Sequence, residues 1–429
     1  MKQKMNLYMG IDFGTSGARA VVIDAEATIQ AQAGYPFEVS VSGMDTIGWQ
    51  TALFALIEQI PKELRRDIRA IAIDGTSSTV LLCDAVGSPV DTPLLYNDAR
   101  GVAVIETLRA IAPPNHTVLS ATSSLAKLLW MSQLPSFTEA KYFLHQADWL
   151  GFLLHGKLGI SDYHNALKLG YDVEQLCYPN WMTHLPVMHL LPLVLIPGTT
   201  ADEVTGEVAE RFGLRQDCLV CAGTTDSIAA FLASGAQSPG EGVTSLGSTL
   251  VLKLLSRTRV EDARYGIYSH RLGNLWLTGG ASNTGGAVLR QFFTDVQLEE
   301  YSCQIDTSKE SQLDYYPLLK PGDRFPINDP DLEPRLEPRP PDPVEFLHGL
   351  LESMARIEAR GYQLLQHLGV TGLSCVYTAG GGAVNFTWKA IRERHLKVPL
   401  VSPVHTAAAY GTALLALGGL NKGNADERR

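Results

Sequence analysis

An acidic residue that ends an apolar run and is followed at once by small hydroxyl residues is a pattern suited to phosphate chemistry. The chain carries it near its start, in Ile11-Asp12-Phe13-Gly14-Thr15-Ser16-Gly17-Ala18-Arg19. Leu7-Tyr8-Met9 precedes this segment and Ala20-Val21-Val22-Ile23-Asp24 follows it, so the pattern predicts a β-hairpin with Gly-Thr-Ser-Gly as its turn. Such a turn presents backbone N–H groups and hydroxyls to a polyphosphate. A carboxylate beside it repels phosphate unless a divalent cation lies between them, which makes Asp12 a candidate metal-side residue and not a general base. The plainer alternative is an ordinary hairpin with a glycine-rich turn.

Four later segments share the same small-residue character. Gly223-Thr224-Thr225-Asp226 follows an apolar run and opens the apolar helix predicted over Ser227–Ala233, so Asp226 projects from a strand-to-helix corner. A helix N-cap is the simplest role for an aspartate there. Ser245-Leu246-Gly247-Ser248-Thr249 offers a second turn where backbone can approach an anion. Val376-Tyr377-Thr378-Ala379-Gly380-Gly381-Gly382-Ala383-Val384-Asn385 reads as strand, triple-glycine turn and helix; glycines there let a flat ring lie against the backbone. Ala407-Ala408-Ala409-Tyr410-Gly411 begins an alanine-rich helix able to pack closely on a neighbour.

Taken in order, these five segments resemble the FGGY carbohydrate kinases, within the superfamily of actin-like and Hsp70-like ATPases. The resemblance runs from about Met9 to about Leu417, and is strongest to the short xylulose-kinase-like or ribulose-kinase-like branch of cyanobacteria and plastids. It implies an α/β fold of two ribonuclease-H-like domains with a nucleotide and sugar cleft between them. Residues 1–233, completed by 407–429, would be the N-terminal kinase domain with the sugar site, the first phosphate loop and the catalytic aspartate. Residues 234–406 would be the C-terminal, ATP-binding domain.

The resemblance also implies roles. Asp226 aligns with the base that takes the proton of the attacking sugar hydroxyl. Asp12, with Thr15 beside it, stands at the Mg²⁺, directly or through water. Gly14, Thr15 and Ser16 form one phosphate loop, and Gly247, Ser248 and Thr249 the other. Gly380, Gly381 and Gly382 take the adenine, with Asn385 at its polar edge; Trp388 either borders that pocket or belongs to the core. The expected cofactors are ATP and Mg²⁺.

The sugar side departs from its relatives. Asp74-Gly75-Thr76-Ser77-Ser78-Thr79 carries small serines where several family members have larger polar pairs. Ser77 is the candidate donor to a sugar hydroxyl. Tyr96-Asn97-Asp98-Ala99-Arg100 is similar to the family's Trp-x-Asp-x-Arg segment; Asp98 and Arg100 either bind sugar or form a structural ion pair. Arg19 reaches the substrate or lies on a surface strand. The implied reaction is transfer of the ATP γ-phosphoryl group to a primary hydroxyl of a small ketose, D-ribulose ahead of D-xylulose. An Hsp70- or actin-like ATPase switch and a degenerate kinase acting as a sensor are the rivals. The switch needs a partner-binding segment, and the chain ends about a dozen residues after the last helix; a sensor is disfavoured because both Asp12 and Asp226 are kept.

The elements that must position these residues follow from pattern. Strands are predicted at Tyr8–Ile11, Ala18–Ile23, Ile68–Ile73 and Val80–Cys83, with a helix over Thr51–Ile60. The pattern restarts with strands Glu241–Ser245, Thr249–Leu255, Gly266–His270 and Leu275–Thr278 and helices Ala287–Phe293 and Pro343–Leu368, which suggests a second domain of similar layout. Tyr315 to Pro343 holds nine of the chain's 23 prolines. Gly322-Asp323-Arg324-Phe325-Pro326 is similar to a family element there, so an ordered loop is expected over a flexible linker.

A chain of 429 residues exceeds one hydrophobic core. Its net charge of −10 argues against a nucleic-acid partner. No signal-peptide pattern is visible, and the long uncharged stretch 398–421 reads as a loop and a buried helix, not a membrane span. Six scattered cysteines fit a reducing cytoplasm, or a plastid stroma in a plant. Cys218-Leu219-Val220-Cys221 lies in a strand-like run that sends its two thiols to opposite faces, and no second Cys or His pair completes a zinc site.

Overall fold

The computed structural model describes residues 5–37 and 45–426. The chain divides into two compact units, 1–233 with 407–429, and 234–406.

Among the described residues the first unit carries ten strands: β1 (Leu7–Phe13), β2 (Gly17–Ile23), β3 (Ile29–Pro36), β4 (Ile68–Gly75), β5 (Val80–Cys83), β6 (Tyr142–His145), β7 (Ile160–Asp162), β8 (Leu193–Leu195), β9 (Thr200–Glu203) and β10 (Leu219–Thr225). Six of them form one mixed sheet in the order β3-β2-β1-β4-β10-β9. The β1–β2 hairpin and β3 run antiparallel, whereas β1–β4 and β4–β10 are parallel. The remaining four pair as β5 with β6 and β7 with β8.

Alternation along β1 divides the sheet into two faces. Leu7, Met9, Ile11 and Phe13 enter a core with Trp49, Leu53 and Ile57 of helix Thr46–Gln59. Tyr8 faces the other way, toward Ala409, Ala413 and Ala416 of helix Ala408–Asp426. That helix lies so near the sheet that a Cβ on Gly10 would meet Ala409 O at 2.1 Å. Small residues on both sides are therefore what the close packing requires. Each large aliphatic side chain fully buried on the opposite face contributes about 1.5–3 kcal/mol.

The helix predicted from Thr51 begins at Thr46, because Asp45 caps it by accepting from Gly48 N at 2.8 Å. Strand β1 runs beyond the predicted Ile11 to Phe13, and β10 continues through Gly223 to Thr225, so Asp12 and Thr224 sit within the sheet. Cys218 and Cys221 enter different cores on either side of it. All six cysteines are free, and burial pushes the Cys218 and Cys221 thiols up to about 12.

The second unit repeats the layout with β11 (Glu241–Leu246), β12 (Leu250–Ser256), β13 (Tyr268–Leu272), β14 (Leu275–Ser282), β15 (Cys375–Ala379) and β16 (Leu400–Val401), in the order β13-β14-β12-β11-β15-β16. Again a hairpin, β11–β12, leads into parallel pairs, β11–β15 and β15–β16. Helix Pro343–His367 packs its apolar face on this sheet through Phe346, Leu350, Met354 and Ile357. The proline-rich stretch is ordered: Tyr315, Leu318 and Phe325 enter the same core. Asp323 is buried there, accepting from Ser282 Oγ at 2.6 Å, Asn283 N at 2.9 Å and Tyr316 OH at 2.7 Å. Among the described residues, no helix is long and apolar enough to cross a membrane.

Candidate active site

The site of the first unit is a row of polar residues across the C-terminal ends of its central strands. Asp12 on β1 is the register partner of Arg19 on β2 and of Asp74 on β4; Asp74 in turn is the partner of Thr224 on β10. Register partners share a face of the sheet, so the row comes from strand pairing alone. The close fit of β10 depends on Gly223, where a Cβ would lie 1.9 Å from Ile73 O.

Asp12 and Asp74 are both buried. Asp74 Oδ2 accepts from Thr412 Oγ1, on the alanine-rich helix. The Asp12 carboxyl lies against that of Asp74, and Asp74 Oδ1 has no donor among the described residues. Burial pushes the Asp12 carboxyl up, opposed by contact with Asp74 and by the Arg19 guanidinium. Burial pushes Asp74 well above the usual carboxylate range, and the Asp12 and Asp226 charges add to the shift. Three carboxyls thus converge, and only a proton or a cation can neutralise the buried pair.

Asp226 is the first residue of helix Asp226–Ser234, half-buried, with Oδ1 accepting from Ser227 N at 2.7 Å. Its corner is braced from below. His164 Nδ1 and Thr224 Oγ1 are 2.7 Å apart, Asn165 Nδ2 donates to Thr224 O at 3.2 Å, and Asp162 caps that turn through His164 N and Asn165 N. Gly14 N donates to Gly17 O at 3.1 Å to close the β1–β2 turn, leaving Thr15 and Ser16 exposed beside Asp12. Arg19 is exposed too, and its guanidinium makes no hydrogen bond within the described residues.

The 74–79 segment is locked from several sides. Thr76 N donates to Gln146 Oε1 at 3.1 Å, and Thr76 Oγ1 lies 2.5 Å from Thr79 Oγ1. Ser78 adopts φ 64°, and Ser77 stays half-exposed. Asp98 and Arg100 do pair with each other, through Nε–Oδ2 at 2.9 Å and Nη2–Oδ2 at 2.7 Å, and Arg100 stacks over Trp130 at 4.7 Å. The bidentate pair holds the Asp98 carboxyl below its usual range.

In the second unit, Gly247 and Gly380 lie side by side, since Ser245 and Ala379 are register partners at the ends of parallel β11 and β15. Gly380 adopts φ 84°, and a Cβ there would meet Leu246 O at 2.7 Å. Ser248 and Thr249 are exposed at the β11–β12 turn, whose Gly247 O accepts from Gly286 N at 2.9 Å. Gly381 and Gly382 continue the triple-glycine turn, and a Cβ on Gly382 would lie 2.6 Å from the Trp388 ring. Trp388 is buried in the core beneath that turn. Asn385 caps the following helix, accepting from Trp388 N at 2.8 Å, while its Nδ2 donates to Ser302 Oγ at 2.8 Å. Both of its polar atoms therefore serve the fold. A buried pair fixes the two strands: Arg392 binds Glu358 at 2.6 and 2.7 Å and Thr378 Oγ1 at 2.9 Å, and Thr244 Oγ1 donates to Glu358 at 2.6 Å.

Residues 7–233 match the model of the N-terminal domain of the FGGY family of carbohydrate kinases. The chain belongs to that family. It is 31% identical over 280 residues to the xylulose kinase of Streptomyces coelicolor, a match covering 60% of this chain and 56% of that one. Against the xylulose kinase of Staphylococcus xylosus it is 21% identical over 449 residues, covering 97% and 91%. The crystal structure of a xyloylose kinase from Brucella ovis superposes with a TM-score of 0.85 at 24% identity, over 97% of this chain and 91% of that chain. This FGGY chain therefore has the fold of the sugar kinases.

The sequence assigns Asp74 no role, leaves Arg19 between the substrate and a surface strand, and does not mark Thr412, His164, Asn165 or Gln146. For Asp74 a signal existed, since it ends a predicted strand as Asp12 does. For the others the contacts come from elements remote in sequence.

Proposed function

We propose that this FGGY chain is an ATP- and Mg²⁺-dependent kinase that phosphorylates a primary hydroxyl of a ketopentose, D-ribulose or D-xylulose. The observation that carries the reading is the convergence of Asp12, Asp74 and Asp226 beside an open Gly-Thr-Ser turn. An unneutralised carboxyl pair fits a divalent cation, held by Asp12 directly or through water with Asp74 behind it. When bound, Mg²⁺ neutralises charge on the β- and γ-phosphates.

In this reading Asp226 receives the proton of the sugar hydroxyl, held at the helix start by Ser227 N. Thr15 and Ser16 donate to phosphate from the first turn, and Arg19 offers a guanidinium to the same oxygens. Within the second unit, Gly247, Ser248 and Thr249 hold phosphate and Gly380–Gly382 take the adenine. Asn385 would act on that site through the helix it caps, with its remaining hydrogen and lone pair left for the base. Ser77 donates to the sugar, and Asp98 with Arg100 contact it as one paired unit. The serines at 77 and 78 resemble the short branch of the family and favour D-ribulose on that resemblance; the xylulose kinases among the relatives weigh equally for D-xylulose.

The test is sugar-phosphate formation from ATP and Mg²⁺ across D-ribulose, D-xylulose, L-ribulose, sedoheptulose and glycerol, with Asp226→Ala in parallel. A ketopentose phosphorylated by the parent, with the variant reduced by about 10²–10⁴-fold, is the expected result. ADP released at one rate with every sugar, and no sugar phosphate, would replace the kinase with an ATPase switch.

A further inference from the structure

Helix Ser124–Met131 contributes no residue to the row of carboxyls, yet it carries a lysine that is 0% exposed. Lys127 Nζ donates to Ser78 O at 2.7 Å, to Leu95 O at 2.6 Å and to Tyr96 O at 3.4 Å. The first acceptor lies in the 74–79 segment and the other two open the 95–100 segment. An ammonium has three donors, and here all three point at main-chain carbonyls of two separate loops.

The same helix engages both loops through further residues. Three positions along, Trp130 supports Arg100, which holds Asp98. At the N-terminal end, Ser124 Oγ lies 3.0 Å from His145 Nε2, and the adjacent Gln146 accepts from Thr76 N. Residues i and i+3 share a helix face, so one face meets both loops at once.

A buried ammonium is a costly way to fill space. Burial pushes Lys127 down to about 7 against the pull of the Asp98 carboxylate, and an apolar side chain of similar length would avoid that cost. What the apolar side chain cannot do is hold carbonyls. Ser78, moreover, adopts a left-handed φ of 64° that an unaided serine disfavours, and its Oγ is buried without a partner. The tie to its own carbonyl is what over-determines that conformation.

We infer that Lys127 is the positioning residue of the sugar site: its ammonium ties the 74–79 and 95–100 loops together and so sets the distance between Ser77 and the Asp98–Arg100 pair, and with it the choice between ketopentoses. The inference rests on the proposed sugar role of those two loops. Lys127 itself touches no substrate; it acts through the backbone it holds.

Lys127→Met keeps the length and packing of the stem and removes the three donors, and Lys127→Arg keeps donors and charge. Two readouts are taken on each and on the parent. The first is sugar kinetics with D-ribulose and D-xylulose at saturating ATP, and ATP kinetics at saturating sugar. The second is amide hydrogen exchange of peptides covering 74–80 and 94–101, which needs no turnover. For Lys127→Met the expected result is a sugar KM raised at least tenfold, a preference between the two ketoses cut severalfold, an ATP KM within twofold, and faster exchange in both peptides together. Lys127→Arg should recover part of the preference. An unchanged ATP KM also shows that the variant is folded, so a sugar-specific loss is not general unfolding. If Lys127→Met keeps its sugar KM and preference within twofold, or if only one peptide exchanges faster, the inference is wrong. A parent that phosphorylates no sugar overturns the functional reading instead; the exchange result then decides alone whether Lys127 joins the loops, and a positive result leaves a structural tie without a role in specificity.

Discussion

Asp12 and Asp74 are register partners across the parallel pair β1–β4, and their buried carboxyls lie against each other with one oxygen, Asp74 Oδ1, lacking a donor among the described residues. The repulsion between them is built into strand pairing, because the sheet cannot move one residue without shifting the whole register. A site strained in this way accepts a proton or a cation.

The first prediction concerns stability against pH. Asp74 has a folded-state pKa raised well above that of the unfolded chain, so above about pH 4 the unfolded state sheds a proton that the folded state retains. Stability from this group is therefore greatest in acid and falls as pH rises. Asp74→Asn mimics the protonated form. Urea unfolding in a chelator should find it more stable than the parent by about 1–2 kcal/mol at pH 7.5, with the gap closing toward pH 4. An equal gap at both pH values would refute the shared-proton account.

Arg19 is exposed, and its guanidinium donates to no described residue, so Arg19→Met should leave stability within about 0.5 kcal/mol. If its guanidinium meets phosphate beside Asp12, kcat falls by about 10- to 1000-fold. Thermal melts and steady-state kinetics on one preparation separate the two effects. Full activity would return Arg19 to an ordinary surface strand position.

Glu358 and Arg392 form a buried ion pair completed by Thr244 and Thr378. Removing one partner strands the other charge, so Glu358→Ala should cost about 3–5 kcal/mol in denaturant unfolding. The double change Glu358→Gln, Arg392→Met should recover much of that loss. A single variant losing less than about 1 kcal/mol would mean that the pair contributes little.

Gly382 lies on the Trp388 ring, where an added Cβ would stand 2.6 Å from the nearest ring atom. Overpacking of this kind costs about 1–3 kcal/mol, and the exposed turn yields more readily than the buried tryptophan. Gly382→Ala should raise the KM for ATP about tenfold, which corresponds to about 1.4 kcal/mol, with the sugar KM unmoved. A change confined to the sugar KM would contradict a nucleotide role for this turn.

Legibility in the sequence followed the range of the interaction. The hairpin Leu7–Ile23, the paired restart at Glu241 and the order within the proline-rich stretch were all readable, since alternation and turn residues are local signals. Helix Thr46–Gln59 was placed five residues late at its start because its beginning is set by the Asp45 cap and not by apolar spacing. That Asn385 caps its helix and donates to Ser302 was not legible, because the cap partner is main chain and Ser302 lies 83 residues away.

By itself the sequence determined the family, the doubled α/β layout and which short segments carry glycine, hydroxyl and carboxylate chemistry. Tertiary structure alone decided that Asp74 stands against Asp12, that Thr412 reaches it from 338 residues away, and that Lys127 joins two loops. The physical reason is the same in each case. Periodicity encodes which face of a strand or helix a residue occupies, but pairing register and helix docking choose its neighbours, and buried charge takes its meaning from those neighbours.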